Sequence, residues 1–457
     1  MTNASKVLAE HLERTTFDDL VVEDIHWAKQ RIADSIGVLL AGVNGVGNDK
    51  VMELIHRWGG TKEASIFATS EMTTLQDAAW MNSFMLRAYD FEAIDAEVEG
   101  GGTLPAHITG STMPVMFAVG EHVQATGRDM ICALILADDL AARLIGSVGF
   151  GLYDAFDGNG TANCMGATAL AGKLMGLQAP QFSHAFGIAL NMCGGSMENV
   201  FQGTWAFKLP LALSSRNGII AAEMAALGLC GVSDPFFDAR CYFDMFGSDG
   251  QNRDALLVNL GKRYFSDIVI KPWPSCHATQ YAIDAALEIT EGQGSDPEQI
   301  ESIVIRVSPS TKGFVGQDFG FGTTSQPAGA FSLRFTVASA ILHGTLTPEH
   351  YEAAMMQDPA LDKMLSKIEI TEDGPRKGAI VEIAFTDGST ESATVTESLG
   401  HMRKKPLTDE QLYQKFMANV ALGGFLDTKQ AEKVFALALD FEKLESLQPI
   451  LSIVAPK

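Results

Sequence analysis

Positive charge is scarce in this chain. Its 457 residues carry 33 Lys and Arg against 56 Asp and Glu, a formal net charge of −23. A field of that sign repels nucleic acid and anionic membrane surfaces, so neither is an expected partner. It also repels free carboxylates, and an anionic ligand therefore needs Lys, Arg and His concentrated locally against the overall field. No apolar run reaches the length of a membrane span, and Met1–Lys6 lacks a hydrophobic signal core. The expectation is a cytoplasmic protein, neither secreted nor inserted. The six cysteines are scattered with no Cys-x-x-Cys pair, which offers no zinc ribbon or local iron–sulfur signature. Most sit among Ala, Leu, Met and Gly, where reduced buried thiols are the default. Also missing are a P-loop, His-Glu-x-x-His, Gly-x-Ser-x-Gly and a calcium loop. The Gly42–Gly47 run follows a helix and has the wrong spacing for a dinucleotide fingerprint. No cofactor and no metal are expected.

What is present is a well-packed globular composition. Hydrophobic residues make up 46% and charged residues 19%, which argues against disorder. The length exceeds what one core usually serves, so two domains are the prior. Residues 24–41 place Ile25, Ala28, Ile32, Ile36 and Leu39 near a 3.6 period. Helices are likewise predicted over 75–89, 113–126, 129–146, 161–175 and 216–227. Several are apolar on most sides and rich in Ala and Gly, which suggests close-packed, buried helices. The texture changes near residue 265. Strands are predicted over 266–270, 301–307, 379–385 and 392–396, the last two joined across Asp387-Gly388, a strong hairpin turn. Helices are predicted between them over 280–291, 332–342 and 348–356, and again after Pro406 over 409–421 and 428–444. The fold class is therefore mostly α, with a large all-helical domain (1–268 and 402–457) and a smaller α+β domain (269–401).

Lys271-Pro272-Trp273-Pro274-Ser275-Cys276-His277 is the most informative stretch. Two prolines fix φ and cannot donate ladder bonds, so this is a stiff corner between a strand and a helix. It holds a lysine, a thiol and an imidazole where functional groups concentrate; a domain-boundary turn with a solvated lysine is the plainer alternative. Arg87-Ala88-Tyr89-Asp90-Phe91-Glu92 ends a predicted helix and is followed by Gly100-Gly101-Gly102 and then His107. An acid at a helix C-terminus opposes the macrodipole, a cost that suggests a local use such as orienting His107 or Arg87. Lys208 lies in the very apolar run Trp205-Ala206-Phe207-Lys208-Leu209-Pro210. An isolated buried ammonium is expensive, so Lys208 either snorkels to water or meets an anion. Asp154–Thr161 is a Gly-rich loop opening a helix, able to hold a carboxylate or phosphate or to serve as an ordinary cap through Asn159 or Thr161.

In order and spacing these segments resemble the MmgE/PrpD family of 2-methylcitrate dehydratases, cis-aconitate decarboxylases and iminodisuccinate epimerases. The Asp24–Gly42 helix resembles the family's opening helix. Asn82 through Asp90-Phe91-Glu92 resembles its Asn-Gly…Asp-Phe-Asp-Asp, and His107 before Pro114 its His-Pro…Pro. Gly172-Lys173-Leu174-Met175-Gly176-Leu177, Arg216-Asn217-Gly218-Ile219, Lys271-Pro272-Trp273-Pro274-Ser275-Cys276 and Phe331-Ser332-Leu333 follow in the family's order. The resemblance implies a homodimer with a helical domain and a lid, and cofactor-free chemistry on small di- or tricarboxylates. It also places Asp90, His107, Lys208 and Lys271 at family active-site positions. The chain departs from the pattern at Asp157, near which the family often has a histidine. At Phe335 it departs again, where the family has a tyrosine.

Such reactions make or quench charge on a carbon beside a carboxylate, and so need a positioned base and cations where enolate charge develops. The expected catalytic set is Asp90, His107, Lys208 and Lys271, with His107 the leading acid/base group. Arg87, Asp157, Cys276 and His277 are the expected substrate-binding residues, with His277 also a candidate acid/base. The function expected is a cofactor-independent lyase or isomerase of a small anionic carboxylate. The alternative is a non-catalytic carboxylate-metabolite binding protein on the same scaffold.

Overall fold

The structure is a computed structural model describing residues 4–149, 156–317 and 325–456. It is mostly α. Leu75–Leu86 begins at Thr74, whose hydroxyl accepts the Asp77 N–H. Gly127–Val148 begins with a reciprocal Thr126/Asp129 capping box. With Val22–Ala41, Thr109–His122, Ala162–Leu174 and Leu209–Ala226 these form a layered helical bundle. At the crossing of the last two, a Cβ on Gly218 would lie 2.5 Å from the Ala167 side chain. Only glycine lets these helices approach so closely.

Buried apolar residues fall into two clusters. One draws on residues from Leu8 to Ile270 and from Met402 to Ala455. The other draws on Cys276 to Val395. The second is built on a four-stranded sheet ordered Ile368–Thr371, Ile300–Arg306, Ala379–Phe385, Thr390–Val395. The first pair is parallel and the other two are antiparallel. Helices His277–Ile289 and Leu333–His343 pack together beside it. The hairpin turn forms at Asp387-Gly388, where Gly388 has φ +88°.

The helix-rich unit departs from the all-helical expectation, because it carries two small sheets. One of them positions the candidate site. Ile94–Glu97 pairs with Thr103–Leu104 on one side and with Asp267–Val269 on the other, with Ile94 opposite Val269. The strand leaving the Asp90 turn is thus tied to the strand entering the Lys271 corner, across more than 170 residues of chain. Asp267 is buried in this sheet and accepts the Thr109 N–H at 2.7 Å. Burial, the largest cause, pushes its carboxyl up to about 8. Among the described residues no helix is long and apolar enough to cross a membrane.

Candidate active site

The predicted 75–89 helix stops three residues early. Arg87 caps Leu75–Leu86, and Asp90 then turns into the left-handed region with φ +51°. Asp95, five residues on, does the same with φ +65°. Two non-glycine residues in that region within six positions mark a backbone fixed by its surroundings. The turn aims Arg87, Asp90 and Glu92 at one point, and His107 joins them from across the Gly-rich loop. Arg87 Nη1 is bonded to both Asp90 Oδ1 and Glu92 Oε1. It also lies 3.1 and 3.3 Å from the two His107 ring nitrogens, so the guanidinium packs over the ring rather than serving one nitrogen. His107 Nδ1 is 2.8 Å from Glu92 Oε1, whereas its Nε2 is 3.6 Å from Asp90 Oδ1, too far for a hydrogen bond. Glu92, and not Asp90, is therefore the carboxylate that orients the imidazole. A carboxylate only accepts, so Nδ1 carries the proton in the neutral ring and Nε2 holds the lone pair.

Lys271 reaches the cluster from the stiff corner between the two buried clusters. Its ammonium sits 3.2 Å from Asp90 Oδ1 and donates to the Asp90 and Ser275 carbonyls. Asp90, Glu92 and Lys271 are each 0% exposed. Burial works against ionising Asp90 and Glu92, but Arg87 leads the charges that outweigh it, and both stay below the usual carboxylate range. His107 also falls below its ordinary value, which for an imidazole favours the neutral form. Burial, then Arg87, lower its basicity, and Glu92 only partly offsets them. Asp90, Glu92 and His107 are the one group of three among the described residues with metal-ligand spacing. Arg87 already puts a fixed positive charge between them, so the donor set does not fit a resident cation.

Arg87 and His107 open onto a cavity of about 280 Å³. Asp157, Asn159, Cys276, His277, Tyr281 and Lys377 line it with them, and Phe156, Met197, Val200, Phe314 and Phe331 supply apolar wall. Asp157 accepts both the backbone and the side-chain N–H of Asn159, at 2.9 and 2.7 Å. Asn159 Oδ1 in turn accepts the His107 backbone N–H at 2.8 Å. The Gly-rich loop is thus a brace for His107; its residues 154 and 155 lie outside the described residues. Gly160 holds the brace down, since a Cβ there would lie 1.8 Å from the Gly194 carbonyl oxygen. Burial raises the Asp157 carboxyl, partly offset by Asn159. Cys276 caps the His277–Ile289 helix, and burial pushes its thiol up to about 12, which favours the neutral thiol.

Of the eight residues singled out from sequence, seven gather at this cavity or directly behind it, and Lys208 does not. Its ammonium donates to the Val46 carbonyl at 2.7 Å and lies 3.9 Å from the centre of the Phe84 ring. Burial alone lowers its pKa to about 7. The neighbouring Phe207 is what meets the site, stacked 5.1 Å from the Arg87 guanidinium. Lys271 also differs from expectation. Its charge is directed to Asp90 and it does not line the cavity, where Lys377 is the lysine present. Phe335 is fully buried against Tyr351, with ring centres 5.4 Å apart.

Sequence reasoning passed over Glu92, Asp95, Asn159, Tyr281 and Lys377. Glu92 and Asn159 stand inside the Arg87–Glu92 and Asp154–Thr161 segments, but nothing local tells a ring-orienting acid from a solvated one. Lys377 follows Asp373-Gly374-Pro375-Arg376, a turn with no signal that it folds over a cavity.

The chain is 20% identical over 466 residues to the cis-aconitate decarboxylase-like protein oryM of Aspergillus oryzae, covering 96% of this chain and 94% of that one. It is 28% identical over 191 residues, 38% of each chain, to the 2-methylcitrate dehydratases of Salmonella typhimurium and Escherichia coli. The MmgE/PrpD N-terminal domain matches residues 6–254 and the MmgE/PrpD C-terminal domain residues 273–441, so the chain belongs to the MmgE/PrpD family.

Proposed function

We propose that this protein is a cofactor-independent lyase or isomerase that moves a proton on a carbon beside a carboxylate of a small di- or tricarboxylate. One observation carries the reading: a buried Arg87–Asp90–Glu92–His107–Lys271 cluster presents only its guanidinium and imidazole to a cavity. In this reading His107 is the base. Its Nδ1–H is held by Glu92 and its Nε2 lone pair removes the α-proton. Arg87, kept protonated against burial by Asp90 and Glu92, faces the substrate carboxylate and the negative charge that develops on it. Lys271 acts at one remove by fixing Asp90. The fate of the enolate, whether loss of hydroxide, gain of a proton on the other face, or formation by loss of CO₂, separates dehydratase, epimerase and decarboxylase. The family and its relatives support a lyase first. The 269–401 unit is proposed as a lid over the cavity, and the working form as a homodimer, which sedimentation at micromolar concentration tests.

The function is tested by proton exchange in D₂O over a panel of dicarboxylates and tricarboxylates, cis-aconitate and 2-methylcitrate included, after exhaustive chelation. Deuterium at an α-carbon, or net turnover, is the expected result. Neither with any acid, or activity restored only by a divalent ion, would overturn it.

A further inference from the structure

The proposed base accounts for one wall of the cavity. The other wall holds a second hydrogen-bonded chain of polar groups that the reaction outlined above does not use. His277, first residue of the His277–Ile289 helix, has Nδ1 3.0 Å from Asp95 Oδ2. Its Nε2 is 2.9 Å from Ser398 Oγ. Tyr281 stands one helical turn beyond His277, its ring centre 5.2 Å from the imidazole, with Ser398 beside its phenol. Tyr281 lines the cavity, whereas Ser398 is 1% exposed and does not. Among the described residues it is also the only tyrosine in that lining. Another nearby phenol, Tyr351, is committed to the Pro274 carbonyl at 2.6 Å.

The parts of this chain come from three separated stretches. Asp95 belongs to the short sheet and keeps a left-handed backbone, with its N–H given to Ala106 O at 3.0 Å. His277 and Tyr281 stand on the helix after the Lys271 corner, and Ser398 follows the last strand of the four-stranded sheet. A strained residue, an imidazole and a buried hydroxyl aligned this way are costly unless used. A buried serine shielded from the cavity cannot be a nucleophile, but it can pass a proton.

We propose that Tyr281 is a second proton-transfer group of this site, connected through Ser398 to a His277–Asp95 pair that stores the proton. The proposal rests on the reading of the cavity as a proton-transfer centre. Because Asp95 only accepts, the neutral ring carries its proton on Nδ1, and Nε2 accepts from Ser398. When Tyr281 takes a proton from the substrate, its own moves to Ser398 and the serine proton moves to Nε2. The broken C–H or O–H bond leaves its electron pair on the substrate, and the imidazolium formed is held by the Asp95 carboxylate. The reverse sequence delivers a proton to a carbanion or to a departing hydroxyl. His107 and Tyr281 then supply the two groups that elimination or epimerisation requires.

Two measurements test this, with folding of each variant checked by circular dichroism. The first needs no substrate. In protein labelled with ¹⁵N-histidine, His277 is assigned through the signals lost in His277→Gln. Asp95→Asn is expected to shift Nδ1, and Ser398→Ala to shift Nε2 while leaving Nδ1 in place; ring nitrogens indifferent to both variants would overturn the relay. The second uses the D₂O panel. Tyr281→Phe is expected to keep deuterium wash-in at the α-carbon through His107 while net kcat falls at least 100-fold and KM changes less than threefold. His107→Asn should lose the wash-in itself. Wild-type turnover by Tyr281→Phe would overturn the assignment of Tyr281. If the unaltered protein exchanges no acid, the proton-transfer reading fails and the role of Tyr281 falls with it, whereas the ring nitrogens report the hydrogen-bonded chain independently.

Discussion

Lys271 and Lys208 are both fully buried, and their surroundings are opposites. Around Lys271 stand a carboxylate at 3.2 Å and two carbonyls, on a corner stiffened by two prolines. Around Lys208 stand one carbonyl and the faces of Phe84 and Trp205. Burial alone then pulls its pKa to about 7. A buried cation with a matched anion orders the groups around it, and one with aromatic faces and a single acceptor is held near the point of losing its proton. The comparison shows why a lysine in an apolar run is a weak pointer to a site. The run reports burial, and only the partner reports use.

The largest effect expected from this contrast lies at the group the Lys271 region serves. His107→Asn should lower turnover by roughly 10²–10⁴-fold, the usual worth of a positioned acid/base group. Binding of the same acid, measured by calorimetry, should persist. A variant with undiminished turnover would remove the reason for building the charged cluster at all.

Next come the lysines themselves. Lys271→Met leaves Asp90 with Arg87 as its main counter-charge and should cost about 3 kcal/mol of folding stability, the low end for breaking a buried pair. Lys208→Met removes a desolvated charge without orphaning an anion and should be neutral or stabilising. Urea midpoints measured at pH 6.5 decide this, and equal losses would erase the distinction between the two regions.

A smaller effect is read from pH. The folded pKa of Lys208, about 7, lies below its ordinary 10.5, so between these values the unfolded chain binds more protons than the folded one. Stability from this group therefore rises as pH climbs from 7 to 10.5, and the full desolvation penalty applies below 7. Lys208→Met should flatten that rise in thermal melts, whereas Lys271→Met should leave it in place.

The smallest expected signal is in the rate profile. His107 is held below 6.5 by burial and Arg87, so it is already a neutral base at neutral pH. The acid limb of kcat/KM should fall below pH 6.5. A limb at or above that value would mean that Glu92 outweighs burial and Arg87.

Much of this protein was legible from the order of its residues. The 3.6 period over 24–41 and 129–146 became the helices Val22–Ala41 and Gly127–Val148, and Asp387-Gly388 became a hairpin turn. The two prolines after Lys271 fixed a strand–corner–helix passage, because φ and the missing donor are properties of the residue itself. Short elements were not legible. Ile94–Glu97 and Thr103–Leu104 are too short to show a period and exist because Asp267–Val269 pairs beside them. The parallel strand Ile368–Thr371 likewise owes its place to Ile300–Arg306.

Sequence also nominated Arg87, Asp90, His107 and Lys271, since charge in an acidic chain stands out at helix ends and stiff turns. It could not say which carboxylate meets the imidazole, and it sent Lys208 to the wrong company. Choosing Glu92 over Asp90 took the left-handed turn at Asp90. Joining Asp95 to His277 took a sheet and a helix from distant parts of the chain. Local chemistry decides which groups are expensive to bury, and only tertiary packing decides what they are buried against.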